Sequence, residues 1–393
     1  MNIKEFNIFL NLNNISYIKY ITILLLFLFL NKYIEVIKNG EIKYISFYKN
    51  YIKDCRRYKK YNRKPIINKN PFISICLPTY NMEKYIKKAV ISIINQTFQD
   101  FEIIIVNDFS NDKTKFILEQ LQLNDNRIKI INHYKNSGVY TSRVDGILNS
   151  KGNFIILMDP DDMILNPNLF ENIYNYNLNY NLDMIEFTIL HYEEKKKYLY
   201  IKKDKNHFHN YSKKIVYQPE LSDLLFYDLN TNNYSSVRCR AVWNKIIRKE
   251  VLLKTVNYIG KDYYKEFFIT AEDTLINILN YQFAKNYSNI NYPGYMYNIR
   301  EISMTHGKRS KQKQILYCYN YLLYFKKLFS LIKDFKKDRN FLFYELKEIN
   351  FLLLQLKNLD KNKELEIIKF YKEIKEDKNI SKNFNEYIIE LLK

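Results

Sequence analysis

The stretch "FIILMDPDDMILNP", Phe154–Pro167, holds the pattern from which the fold is read. Its apolar beginning reads as a buried strand, and that strand stops at Asp159. Asp159, Asp161 and Asp162 then crowd around Pro160. Carboxylates this close repel one another and resist ionising together unless a cation or strong donors lie among them. A strand tip of this kind calls for positive charge. On residue types alone the alternative is a strand-to-helix turn with capping aspartates.

Working outward, "FISICLP" (72–78), "FEIIIVND" (101–108) and "IKIINH" (128–133) repeat the form: a short β-rich run ending abruptly in polar residues. Helix-like segments lie between them. In 83–96 the residues Ile86, Val90, Ile93 and Ile94 share one face at helical spacing, and Asp112 is placed to cap the helix that follows it. The alternation predicts an α/β fold, a mixed, mostly parallel sheet with helices on both faces and ligands beyond the carboxyl ends of its strands. Those ends read "PTYN", "NDFSND", "NHYKNSG" and "DPDD", so four polar clusters converge on one edge.

The 393 residues are 47% hydrophobic, enough for one large domain or two ordinary ones. A formal charge of +20 suggests nucleic acid or an anionic membrane surface. The excess is lysine amid Asn, Ile and Tyr, residues with AT-rich codons, and no nucleic-acid motif accompanies it, so nucleic acid is not the expected partner. With 7 glycines, and neither a G-x-G-x-x-G turn nor a P-loop after any strand, the sequence argues against a dinucleotide enzyme or P-loop kinase. Cys55, Cys76, Cys239 and Cys318 lie far apart, without zinc or redox spacing and without a disulfide framework. Cys76, inside a strand, reads as a small buried hydrophobe.

The segment 1–38 contains "YITILLLFLFL", Tyr20–Leu30, apolar but shorter than the ~20 residues a spanning helix needs. Flanking apolar residues and snorkelling Lys19 and Lys32 extend it, and it is read as a single-pass membrane anchor, with a buried or interfacial helix as the alternative. A basic stem covers 39–70, including "CRRYKKYNRK". The catalytic candidate is 71–308, interrupted at 195–235 by a lysine- and tyrosine-rich insertion or mobile loop. Region 309–393 carries apolar stripes such as Leu316, Tyr319, Leu323 and Leu328, the mark of a helical extension.

Taken in order, "ISICLPTYNMEKYI", "SIINQTFQDFEIIIVNDFSND", "NSGVYTSRVDGI", "KGNFIILMDPDD", "VWNKIIRKE", "AEDT" and "YMYNIREISMTH" resemble the family 2 glycosyltransferases over about three fifths of the chain. The resemblance implies the GT-A (Rossmann-like) fold, and a metal-dependent inverting transfer from a nucleotide-diphosphate sugar, with UDP expected, to a glycan, protein or lipid hydroxyl. Mn²⁺ or Mg²⁺ is the implied cofactor, since an all-oxygen site suits either.

By the same resemblance Asp161 is the direct metal ligand and Asp159 sits at the ribose and metal. Asp162 supports the site or faces the sugar. Pro78, Thr79, Tyr80 and Asn81 pack around the base, and Asp108 accepts from a uracil ring nitrogen. The family usually has two acids and a glycine where this chain has Asn107, Asp108 and Phe109. Arg143 lies on the diphosphate side, or else on a helix surface. Asp273 is the base that takes the acceptor proton, with Glu272 its orienter or substitute; the alternative is helix N-terminal acids facing the macrodipole. Trp243, the single tryptophan, stacks on an acceptor sugar or packs in the core. His306 is a further metal ligand in a segment, with Arg300 and Ser303, that folds over the donor. The competing class is an inactive glycosyltransferase-like scaffold. A membrane-bound place is expected, in the secretory pathway if the source is eukaryotic, with a cytoplasmic enzyme as the alternative.

Overall fold

The computed structural model describes residues 68–195, 198–200, 215–218, 241–260 and 271–300. It adds two-residue strands at 35–36, 42–43, 227–228 and 233–234, and helical residues 324, 327 and 328.

The expected strands form. They are β1 (Ile73–Thr79), β2 (Phe101–Asn107), β3 (Ile128–Asn132) and β4 (Phe154–Leu157), parallel and adjacent in the order β3-β2-β1-β4. Ile75 pairs with Ile103 on one side and Ile156 on the other, so the apolar runs lie side by side at the centre. Their buried side chains point alternately to both faces, which is why the runs are continuous rather than alternating. Helices α1 (Ile86–Ile94), α2 (Thr114–Asn124) and α3 (Val139–Asn149) connect them. Ile86, Val90 and Ile93 of α1 and Leu118 of α2 pack on Ile73, Ile75, Leu77, Ile103 and Ile105. On the other face, a Cβ built at Gly146 of α3 would lie 3.0 Å from Cys76 Cβ and 3.8 Å from Val106 Cγ2. Helices therefore cover both faces.

Two expectations shift locally. Helix α1 begins three residues after Glu83, because Tyr85 and Ile86 first donate to Met82 O in a turn. Asp112 caps from two residues ahead: its Oδ1 accepts from Thr114 N at 2.9 Å, and Oδ2 accepts from Glu83 N at 3.2 Å.

The sheet continues through segments that were not read as strands. After β5 (Met163–Ile164) and α4 (Leu169–Tyr180) come β6 (Met184–Glu193) and β7 (Lys245–Arg248), with β7 inserted antiparallel between β4 and β6. Helices α5 (Lys249–Ile259) and α6 (Glu272–Phe283) follow, joined by a 2.7 Å bond from Thr255 Oγ1 to Asn280 Oδ1. The long β8 (Asn286–Ile299) runs parallel to β6 and pairs antiparallel with β5. Its last five residues, Tyr295–Ile299, open the "YMYNIREISMTH" motif, and of the portion expected to fold over the donor only Arg300 lies within the described residues. The alternation of Tyr295 and Tyr297 is strand pleating.

Part of the 195–235 insertion is also strand. Tyr198–Tyr200 pairs with β6 and Ile215–Tyr217 with β8. Among the described residues no helix is long and apolar enough to cross a membrane. The expected anchor at Tyr20–Leu30, and almost all of the stem and the helical extension, lie outside the described residues.

Candidate active site

The acid cluster sits where β4 gives way to β5, held from behind by β8. Asp162 is buried: Tyr295 OH donates to its Oδ2 at 2.7 Å and Asn298 N to its Oδ1 at 2.8 Å. Each oxygen has a donor from β8, so Asp162 braces the tip. Burial and the neighbouring Asp161 and Asp159 push its carboxyl well above the ordinary range. Tyr295 OH also accepts from Asp159 N at 3.2 Å, tying both ends of the tip to one side chain.

Asp159 and Asp161 meet arginines. Arg143 donates to Asp159 Oδ1 at 2.7 Å, and Arg300 lies 2.5 Å from Asp161 Oδ2. Burial raises the Asp161 carboxyl to about 6, although Arg300 pulls it down. The positive charge demanded by the sequence is thus supplied in part by the chain itself.

Arg143 reaches further. It is buried on α3, which excludes the helix-surface reading, and its second terminal nitrogen donates to Glu272 Oε1 at the start of α6. One guanidinium therefore joins the acid tip to the "AEDT" pair, with Nε buried and unpartnered among the described residues. Glu272 is buried and its carboxyl raised by that burial. Asp273 is pushed up to about 7, first by burial and then by the charge of Glu272. Its Oδ1 accepts from Thr274 N at 2.8 Å, a short-range cap at the head of α6.

The expected base end is zipped together by backbone. Asp108 N donates to Thr79 O at 2.8 Å, Asn81 N to Ser110 Oγ at 3.0 Å, and Asn111 N to Asn81 Oδ1 at 2.9 Å. Pro78 and Thr79 are buried in β1, so only Tyr80 and Asn81 of that quartet are open to a ligand. Asp108 faces the loop before α3, not open space: it accepts from Ser137 N (2.8 Å), Gly138 N (2.9 Å) and His133 Nδ1 (2.8 Å). Its acceptor capacity goes first to fixing the entry of the helix that carries Arg143. His133, held between Asp108 and Asp145, is raised to about 9 and is a cation at neutral pH.

Phe109, the departure from the family pattern, has φ 61° with its ring 55% exposed. A left-handed backbone costs a non-glycine residue about 1–2 kcal/mol. Phe109→Gly is therefore expected to stabilise the fold by about 1 kcal/mol, read as a higher urea midpoint at unchanged slope.

Trp243, just ahead of β7, is partly buried against the core and stacks on Tyr295 and Tyr297, with ring centroids 5.0 and 4.9 Å away. Its recorded contacts are those of the core reading, and through Tyr295 they brace Asp162. Tyr295 and Asn298 were missed by sequence reasoning. The tyrosine alternation of "YMYN" was the available signal. Ser303 and His306 lie outside the described residues.

Residues 74–255 match the model of Glycosyl transferase family 2. Over that segment the chain is similar to this family. Glycosyltransferase GlyA of Streptococcus pneumoniae serotype 4 is 27% identical over 237 residues, 59% of this chain and 31% of that protein. The GalNAc(5)-diNAcBac-PP-undecaprenol beta-1,3-glucosyltransferase of Campylobacter jejuni is 38% identical over 96 residues, 24% of this chain and 31% of that one. The chain thus spans about a third of the length of these curated relatives. Among solved structures, S. aureus TarS 1–349 in complex with UDP aligns with a TM-score of 0.44 and 22% identity, covering 64% of this chain and 65% of TarS.

With that similarity the question is what the acid tip can hold. Asp162 is buried with a donor on each oxygen, and among the described residues no group of three His, Cys, Asp or Glu is placed to hold a metal ion. Asp159 and Asp161 remain, each with one oxygen engaged by an arginine. Two hard carboxylates fit Mg²⁺ or Mn²⁺, ions commonly held by one or two acids together with substrate phosphates.

Proposed function

We propose that this chain is a metal-dependent inverting glycosyltransferase, moving a sugar from a nucleotide-diphosphate donor, with UDP preferred, to a glycan, protein or lipid hydroxyl. The observation that carries the reading is the buried Arg143 bridge, which ties Asp159 on the donor side to Glu272 beside the candidate base. A scaffold has no need of two acid sites sharing one buried cation. A divalent ion on Asp159 and Asp161 would neutralise charge growing on the leaving diphosphate.

The chain's own residues do the rest. Asp273, with a carboxyl near 7, takes the acceptor proton as the acceptor oxygen attacks the anomeric carbon, opposite the bond to diphosphate that breaks. Arg143 holds Glu272, fixing the carboxyl group next to Asp273 in place. Tyr80 and Asn81 face the base from the ends of the zipped loops. The same reading keeps Tyr20–Leu30 as a membrane anchor ahead of the catalytic domain, which suits a lipid-linked acceptor.

The test is a panel of UDP- and GDP-sugars assayed for nucleotide release. The expected result is consumption of a UDP-sugar, lost in chelator and restored by Mn²⁺. Turnover undiminished in chelator, or no donor consumed at all, overturns the proposal.

A further inference from the structure

Arg300 stands just beyond the end of β8 with its guanidinium on Asp161. The two side chains are only 18% and 14% exposed, so the 2.5 Å contact is poorly screened by water. The strand end itself is fastened: Asn298 N donates to Asp162 Oδ1 at 2.8 Å and Asn298 Nδ2 to Asp161 O at 3.3 Å. What can move is the long side chain beyond it.

The same guanidinium already leans on a second support, which could hold it without Asp161. The guanidinium carbon is 4.9 Å from the centre of the Tyr85 ring, and Tyr85 OH donates to Glu194 at 3.2 Å. An aromatic face backed by a carboxylate is itself a site for an arginine. Arg300 Nε, like that of Arg143, is buried and unpartnered among the described residues, so the present seat on Asp161 leaves one donor unsatisfied. Arg143 differs: carboxylates grip it from two elements.

A divalent cation on Asp161 would meet the Arg300 guanidinium at the same carboxyl group, where the two positive charges repel. We infer that Arg300 is an internal cation that occupies the metal's place on Asp161 until the metal and nucleotide arrive, then withdraws towards Tyr85 and Glu194. The inference rests on the metal-dependent reading above. It makes the free protein a poor metal binder and leaves the acid tip charge-balanced between turnovers.

The test is binding of Mn²⁺ alone to the full chain, followed by the electron paramagnetic resonance signal of free Mn²⁺. Arg300→Gln is expected to bind Mn²⁺ about tenfold more tightly than the unaltered protein, the effect of removing a competing ion pair of order 1 kcal/mol. Arg300→Lys, which keeps the charge, is expected to stay within about twofold of the unaltered protein. Glu194→Gln works from the other side: weakening the second support holds Arg300 on Asp161, and Mn²⁺ binding is expected to weaken. It carries the test if Arg300→Gln does not fold. Equal affinities across the variants overturn the role of Arg300 alone. Failure of every form to bind Mn²⁺, even with UDP present, overturns the metal-dependent reading as well.

Discussion

Asp273→Asn is expected to lower the transfer rate by about 10²–10⁴-fold, the usual contribution of a positioned proton acceptor, while nucleotide affinity stays unchanged. The amide matches the carboxylate in size and keeps an oxygen for Thr274 N, so the head of α6 survives. The pH profile gives the sharper reading. A base works only when deprotonated, and Asp273 is raised to about 7. The rate should climb from pH 5 to 7 and level off above, and that rise should vanish in Asp273→Asn. Glu272→Gln provides a control with a definite sign: removing the negative neighbour that raises Asp273 moves the climb to lower pH. Stopped assays between pH 5 and 9 would check both. An unaltered profile in Asp273→Asn would assign the base to another residue.

Arg143→Met is the second large effect, and it falls on stability. The substitution leaves Asp159 and Glu272 without their cation and Asp273 without its nearest positive charge. Removing one partner of a buried ion pair costs about 3–5 kcal/mol, because the other charge is left behind. In a domain of this size each kcal/mol is roughly 2–4 °C, so a fall in Tm of about 6–20 °C is expected at neutral pH. Glu272 and Asp273 already lie above their ordinary values, so the folded state favours their protonated forms, and stability drops as pH rises through the folded values. Losing Arg143 raises those values further. The deficit should therefore be largest near pH 8 and shrink towards pH 5, as measured by circular dichroism melts. Arg143→Lys should rescue little, since a point charge cannot bridge two carboxylates as a planar fork does. A deficit that grows on acidification would sink this account.

What the sequence disclosed followed from burial. Strands β1, β2 and β4 are apolar on both faces and end in polar residues, so composition alone located them and the edge where they converge. Strand β7 was hidden because it is four residues long and carries Lys245, buried and donating to Ala241 O at 2.7 Å. Strand β8 was hidden because Pro293 and Gly294 interrupt it at a register shift, a pattern that reads as a turn.

The site divided in the same way. That acids cluster at 159–162 was plain; which of them is support depends on Tyr295 and Asn298, 133 and 136 residues away from Asp162. Arg143 gave no local sign of burial, because a lone arginine in a helix looks the same whether it meets water or two carboxylates. Asp108 was recognised as an acid at a strand end, yet two of its three partners named above, Ser137 N and Gly138 N, are backbone N–H groups, which every residue type except proline carries. Phe109 was the opposite case: a bulky residue where glycine is usual announced an unusual backbone angle, and φ is 61°.

The close approach of α3 to the sheet governs how firmly the guanidinium is aimed. At Gly146, one turn beyond Arg143, the space a side chain would claim is already crowded by Cys76. The helix rests on the strands as a lever with no play, clamped at its head by Asp108 and seated at its middle by a missing methyl group. Alignment of the two acid centres is thus decided partly on the rear of the sheet, where no ligand ever touches, and a lineage could lose catalysis through a change there that left every reacting group intact.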